Sequence, residues 1–305
     1  MRRVAILLAL CFTSAVCAEE LSVGFGEVDV SPTLDPKKPV FLAGFGHNRK
    51  ATGQLDPLMA RAIVLSDGKQ KIALVCADVV GLFNAVAEKV RKELTGYTYV
   101  SVSSTHNHEG PDTLGLWGPS PFTSGLDPDY LQKLESGLVK AITLADKNLQ
   151  TATATIGIVA APELLNDNRE PYVKHAELVA LRFANKEKKT LGILVQWNCH
   201  PETLNNKNTL WSADYVATTV KEIKRKHDNC PVAYFTGTVG GLMTSLNVPI
   251  KNAKGEELKD GTVEKTEEFG RRVALVVEKA LEKPASVTLT PFVARRVEVH
   301  LPVSN

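Results

Sequence analysis

From Val23 onward, short runs rich in β-formers alternate with segments of helical period, and several of the runs are apolar at nearly every position. A strand that is apolar on both faces must be covered on both faces, so such a chain cannot leave its sheet open to water on one side. The runs fall at residues 23–30, 60–65, 71–77, 98–104, 151–159, 177–183, 191–198 and 232–236, with a further one at 297–303. The covering helices are legible too. Asp127-Pro128-Asp129 supplies a cap, a first-turn proline and an acid at the positive end, and Leu131, Leu134, Leu138 and Ile142 then share one face. Leu82, Val86 and Val90 before Gly96, then Val216, Val220 and Ile223, then Phe269, Val273, Val277 and Leu281 before Pro284, predict three more amphipathic helices. The expected fold is therefore mixed α/β, a largely buried β-sheet flanked by amphipathic helices. No repeat, low-complexity tract or linker divides the sequence, so a single domain over residues 19–305 is expected.

The first 18 residues belong to a different kind of segment. Arg2 and Arg3 precede an apolar run ending at Val16, and Val16-Cys17-Ala18 presents a small-residue cleavage site, which predicts a signal peptide and export to the periplasm or beyond. The run is shorter than the about 20 residues a spanning helix needs, and no later stretch approaches that length, so no transmembrane segment is expected after cleavage. With 36 basic and 34 acidic residues, the chain lacks the basic footprint of a nucleic-acid binder. Cys76, Cys199 and Cys230 are too few, and odd in number, for a disulfide framework.

Two strand ends carry residues suited to chemistry. Thr105-His106-Asn107-His108-Glu109 follows the run at 98–104, and alternation in extended backbone sets His106 and His108 on one side. Asn198-Cys199-His200-Pro201-Glu202 follows the run at 191–198. Ligands of open α/β sheets gather at the carboxyl edge, where the three imidazoles can converge if their strands run the same way, and three imidazoles can hold one zinc ion with a position left open. Asp78 also closes an apolar strand, and Asp214 opens a helix. Either can be a local structural acid or a carboxylate that orients a histidine. Val239-Gly240-Gly241 offers backbone N–H groups to an anion, or simply a tight turn. The loop at 109–126 mixes glycine and proline with Leu114, Leu116, Trp117 and Phe122, the composition of a loop that lines a binding site. Serine-hydrolase, Walker and His-Glu-x-x-His signatures are absent, and Gly24-x-Gly26 lies inside a strand without the following helix of a dinucleotide site.

Taken in order, Val23-Gly24-Phe25-Gly26-Glu27-Val28-Asp29-Val30, Gly44-Phe45-Gly46, Arg61-Ala62, Thr105-His106-Asn107-His108-Glu109-Gly110-Pro111, Cys199-His200-Pro201 and Ser212-Ala213-Asp214 resemble the neutral, non-lysosomal ceramidases. The resemblance implies a zinc amidase acting on the N-acyl bond of a lipid amide such as ceramide. It implies one zinc ion held by His106 and His200, with His108 and Gly241 on the catalytic side. It also makes Asn168-Arg169 the family's asparagine-arginine pair, with Arg169 a substrate contact beside Trp117 and Phe122. Two departures accompany it. The family's Gly-Asp-x-Ser-Pro serine meets Met243, whose thioether cannot replace a hydroxyl, although Thr244 and Ser245 lie close by. The family's glutamate and tyrosine zinc ligands fall further along than residue 305, which makes residues 19–305 a C-terminally incomplete catalytic domain in this reading, unless Asp78, His108, Glu109 or Asp214 completes the site. A second reading of the same departures is an exported relative that binds lipid or metal without hydrolysis.

Overall fold

The computed structural model describes residues 20–239, 243–295, 297, 299, 300 and 302. The expected signal segment, Gly241 and residues 298, 301 and 303 lie outside them, and the described residues of the run at 297–303 belong to no strand. The first half of the chain runs β1 (Ser22–Asp29), β2 (Gly53–Gln54), β3 (Met59–Ser66), β4 (Lys71–Ala77), α1 (Asn84–Glu93), β5 (Tyr99–Ser104) and α2 (Pro128–Lys147). The second runs β6 (Gln150–Thr151), β7 (Thr153–Ala160), β8 (Asn166–Asp167), β9 (Glu177–Ala184), β10 (Thr190–Trp197), β11 (Leu210–Trp211), α3 (Tyr215–Lys226), β12 (Val232–Thr236), β13 (Met243–Thr244), α4 (Val263–Glu282) and β14 (Ala285–Val287).

The apolar runs build two sheets rather than one. Their strand orders are β5-β4-β3-β1-β6 and β12-β10-β9-β7-β14. In each, the first two strands named are parallel and the remaining neighbours antiparallel. The two halves thus repeat one chain path, strand for strand, although no repeat is visible in the residues themselves.

The sheets stack face to face. Phe25 and Ile63 of the first sheet share an apolar cluster with Phe183 and Ala233 of the second, and the rings of Phe25 and Phe183 lie 6.0 Å apart at an edge-to-face angle. Helices cover the outer faces: α2 lies on β1 and β3 with α1 beside it, and α4 lies on β7 and β9 with α3 beside it. The result is a four-layer sandwich, which explains the two-sided apolar strands. Leu134, Leu138 and Ile142 of α2 are fully buried, each worth about 1.5–3 kcal/mol. The Asp127 carboxylate caps α2 by accepting from Asp129 N, and Thr262 caps α4. Gly24 and Gly26 serve this packing: a Cβ at Gly26 would stand 2.2 Å from Ala141 O of α2. Gly157 on β7 does the same against Ala280 O of α4, at 1.8 Å.

The carboxyl ends of β5, β10 and β12 come together at one edge. Thr236, the last residue of β12, donates its hydroxyl to Thr105 O just beyond β5 at 2.7 Å. His108 N donates to Pro201 O at 3.0 Å, joining the loops after β5 and β10 directly.

Candidate metal centre

The main chain of residues 105–109 is laced onto the turn after β4. Thr105 N donates to Ala77 O and Asn107 N to Val79 O, while the Asn107 amide donates to Asp78 O and Ser212 O. His106 sits at φ +61°, a conformation that costs a β-carbon residue energy and that clusters at functional sites. This turn brings His106 and His108 to the same side. After β10, His200 N donates to Met243 O, so β13 fixes the third histidine through its backbone.

His106, His108 and His200 each offer one ring nitrogen within 4.8 Å of the others. Their ring centroids lie 4.7–5.4 Å apart, all edge to face. His106 Nδ1 bonds Val80 O and His200 Nδ1 bonds Met243 O, both at 2.7 Å. His108 Nδ1 lies 3.1 Å from Glu202 Oε2, off the line of a straight hydrogen bond. Burial pushes His106 down to about 4 and His200 below its ordinary value, so both rings are neutral at pH 7 with a lone pair to give. The Glu202 carboxyl is pushed up by burial, but the His108 ring and the Thr244 hydroxyl outweigh this and hold it below the usual range.

The wall behind His108 is closely built. Gly44 packs against its Cα and Cβ, and the Phe45 ring meets it edge-on at 5.1 Å. Arg49 is buried, donating to the carbonyls of His108 and Ala43 and, at 3.1 Å, to Glu109 Oε2. Burial pushes the Glu109 carboxyl up to about 8, against the pull of Arg49. Glu109 faces Arg49 and Asn208, and its contacts are with these two side chains.

Other expected residues stand further out. Asp78 accepts two bonds from Arg61 Nη1 at 2.7 and 2.8 Å and one from Met59 N, and burial raises its pKa against that partner. Asp214 caps α3, accepting from Tyr215 N at 2.7 Å and Leu204 N at 2.9 Å, with its pKa raised to about 6 by burial. Neither carboxylate bonds a histidine; they brace the loops that carry the histidines. The carboxylate that does meet a ring, Glu202, was not singled out in the sequence, though its place two residues after His200 was a usable signal. In the loop at 109–126, Asp112 accepts from the N–H groups of Leu114, Gly115, Leu116 and Trp117, and Leu114 packs on Gly81 beside the Val80 turn. Trp117 is half-buried and Phe122 is 97% exposed. Arg169 is exposed, two residues beyond β8, which pairs with β13. Met243 contributes its carbonyl to His200, while its sulfur accepts from His175 N at 3.2 Å. Thr244 donates to Glu202, and Ser245 Oγ lies 2.7 Å from Thr203 Oγ1. Cys76, Cys199 and Cys230 are free and buried.

A four-layer α/β sandwich with three imidazoles meeting at the shared strand edge defines a protein with a candidate mononuclear metal centre. Comparison with known proteins gives the family. The neutral/alkaline non-lysosomal ceramidase N-terminal region matches residues 21–247, and the chain belongs to that family. It is 25% identical over 244 residues to a neutral ceramidase of Drosophila melanogaster, covering 72% of this chain and 34% of the relative, and 24% identical to that of Drosophila pseudoobscura pseudoobscura. The chain spans about a third of the length of these relatives. A solved ceramidase complexed with C2 shares the fold at a TM-score of 0.72 and 18% identity, over 86% of this chain and 44% of that one. The neutral ceramidase from Pseudomonas aeruginosa does so at 0.71. Among the described residues, no helix is long and apolar enough to cross a membrane.

Proposed function

We propose that this chain is an exported, zinc-dependent amidohydrolase of ceramidase type, cleaving the N-acyl bond of a lipid amide such as ceramide. The observation that carries this is the convergence of three imidazoles, each with its Nδ1 facing a protein acceptor, so that the nitrogen left over on each can serve as a ligand. Neutral nitrogen donors suit zinc, and one ion fits the triplet. Zinc, when bound, polarises a carbonyl and lowers the pKa of water. His106 and His200 hold the ion, and the bonds to Val80 and Met243 keep their rings from turning. Leu116, Trp117 and Phe122 receive the acyl chain, where apolar side chains left partly or wholly exposed lose least by meeting lipid. Arg169 meets the polar end of the substrate. Residues 1–18 direct export.

The purified chain is given a fluorescent short-acyl ceramide with zinc, with a chelator, and as His106→Ala. Release of fatty acid only in the first supports the proposal; release that persists in the other two overturns it. A second reading, lipid binding without hydrolysis, rests on Met243, which brings a buried thioether to the place of the family's serine. Under that reading the labelled ceramide binds and is not cleaved.

A further inference from the structure

We infer that Thr238, His175 and Glu177 form a second catalytic array, a threonine nucleophile with its base and the base's carboxylate, which cleaves short carboxylic esters through an acyl-threonine. This activity is separate from the amide hydrolysis proposed above and does not pass through the three clustered histidines.

The array stands where β9 begins and β12 ends. Thr238 Oγ1 lies 2.9 Å from His175 Nδ1, and Glu177 Oε2 lies 3.5 Å from Nε2 on the far side of the ring. Hydroxyl, imidazole and carboxylate thus follow one another in the order that activates a hydroxyl. The second distance is a charge contact and not a hydrogen bond, and such contacts are commonly long before substrate binds.

Asn198, fully buried, decides where the hydroxyl proton points. Its Oδ1 accepts from Thr238 N at 2.9 Å and from Gln196 Nε2 at 2.6 Å, which fills both lone pairs. The hydroxyl, 3.3 Å from that oxygen, therefore donates to the nearer His175 ring. The carboxylate beside Nε2 favours a proton there and leaves the Nδ1 lone pair to receive the hydroxyl. Asn198 Nδ2 also donates to the carbonyls of His175 and Glu177, at 3.1 and 3.0 Å. One buried amide thus holds the main chain of all three residues. Gly237 makes room for it: a Cβ there would stand 2.1 Å from Asn198 Oδ1 and 1.9 Å from Gln196 Nε2.

The side chains of His175 and Glu177 are each 51% exposed and Thr238 is exposed, so a small ester reaches the hydroxyl from solvent. As Thr238 Oγ1 attacks the acyl carbon its proton passes to Nδ1, the ester C–O bond breaks, and the alcohol leaves with that proton. Water then attacks the acyl-threonine, Nδ1 carries the water proton to Oγ1, and the carboxylic acid is released. Nε2 keeps its proton throughout, and Glu177 offsets the charge of the imidazolium.

The test is p-nitrophenyl acetate given to the purified chain with chelator present, with nitrophenol followed by absorbance and the acetyl group located by peptide mass spectrometry after an acid quench. Wild type is compared with Thr238→Val, Thr238→Ser, His175→Gln and Glu177→Gln, and with His47→Gln as an exposed histidine outside the array. Thermal melts check that each variant folds. The array predicts an acetyl group on Thr238, activity lost in Thr238→Val and kept in Thr238→Ser, and no change in His47→Gln. It predicts a rate about 100-fold or more lower in His175→Gln, with a smaller loss in Glu177→Gln. No cleavage above the buffer rate, cleavage that appears only with zinc, an acetyl group found only on other residues, or wild-type rates in both Thr238→Val and His175→Gln would overturn the inference. The label is read on wild type, so it decides even where a variant fails to fold. Zinc content and ceramide cleavage are measured separately, and failure of the array leaves the metal reading standing.

Discussion

Replacing Gly44 by alanine tests how tightly the wall behind His108 is built. Gly44 sits at φ +92°, and a Cβ there would come 2.3 Å from His108 Cγ, 2.5 Å from its Cβ and 2.8 Å from its Cα. The last distance is decisive, because a rotamer change can move a ring but not a main-chain carbon. The left-handed conformation costs alanine about 1–2 kcal/mol, and an overpacked methyl costs about 1–3 kcal/mol more. Gly44→Ala should therefore lose about 2–5 kcal/mol and push His108 away from the other two imidazoles. Gly46→Ala is the internal control. No atom lies within 4 Å of its would-be Cβ and its φ is not positive, so it should stay within about 0.5 kcal/mol of wild type. Urea unfolding with chelator present isolates the packing term from metal linkage, and zinc content is read separately. A Gly44→Ala variant as stable as Gly46→Ala, with its zinc intact, would show that the wall gives way freely.

Asp78→Ala should cost about 3–5 kcal/mol, because it strands the buried Arg61 guanidinium; a shift in urea midpoint worth under about 1 kcal/mol would contradict a structural role for that pair. Asp112→Ala frees four backbone N–H groups and should open residues 113–117 to limited proteolysis while zinc content is unchanged. The metal-free chain should weaken in mild acid. His106 has an unfolded pKa near 6.5 and a folded one of about 4, so between these values the unfolded chain binds the extra proton. The stability held above pH 6.5 drains as pH falls toward 4, by about 3 kcal/mol at most, and His200 adds to it in the same direction. His106→Ala should flatten that slope, and an unchanged slope would mean that His106 is not the group responsible.

Much of the fold was legible because apolar runs and helical stripes are local signals. The strand expected at 71–77 and the helix opened by Asp127-Pro128 fall where the pattern puts them. The division into two sheets was not legible. A strand that is apolar on both faces does not say whether a helix or a second sheet covers it, and Phe25 and Gly26, adjacent in β1, face the second sheet and α2 respectively. The repeated chain path was hidden for a similar reason, since what the halves share is connection order. At the centre, His106, His108 and His200 were visible as histidines at strand ends. Their partners were not, because Val80 and Met243 act through carbonyls that every residue possesses. Asp78 and Asp214 are legible as carboxylates near histidine-bearing loops, whereas the one that reaches a ring of the triplet, Glu202, depends on how the loops after β5 and β10 meet.

The metal content of the purified chain bears most directly on the centre described here. Elemental analysis should find about one zinc per chain, lost in both His106→Ala and His200→Ala while each variant still melts cooperatively. A folded variant of either histidine that keeps its full zinc would contradict the assignment of the metal to this strand edge.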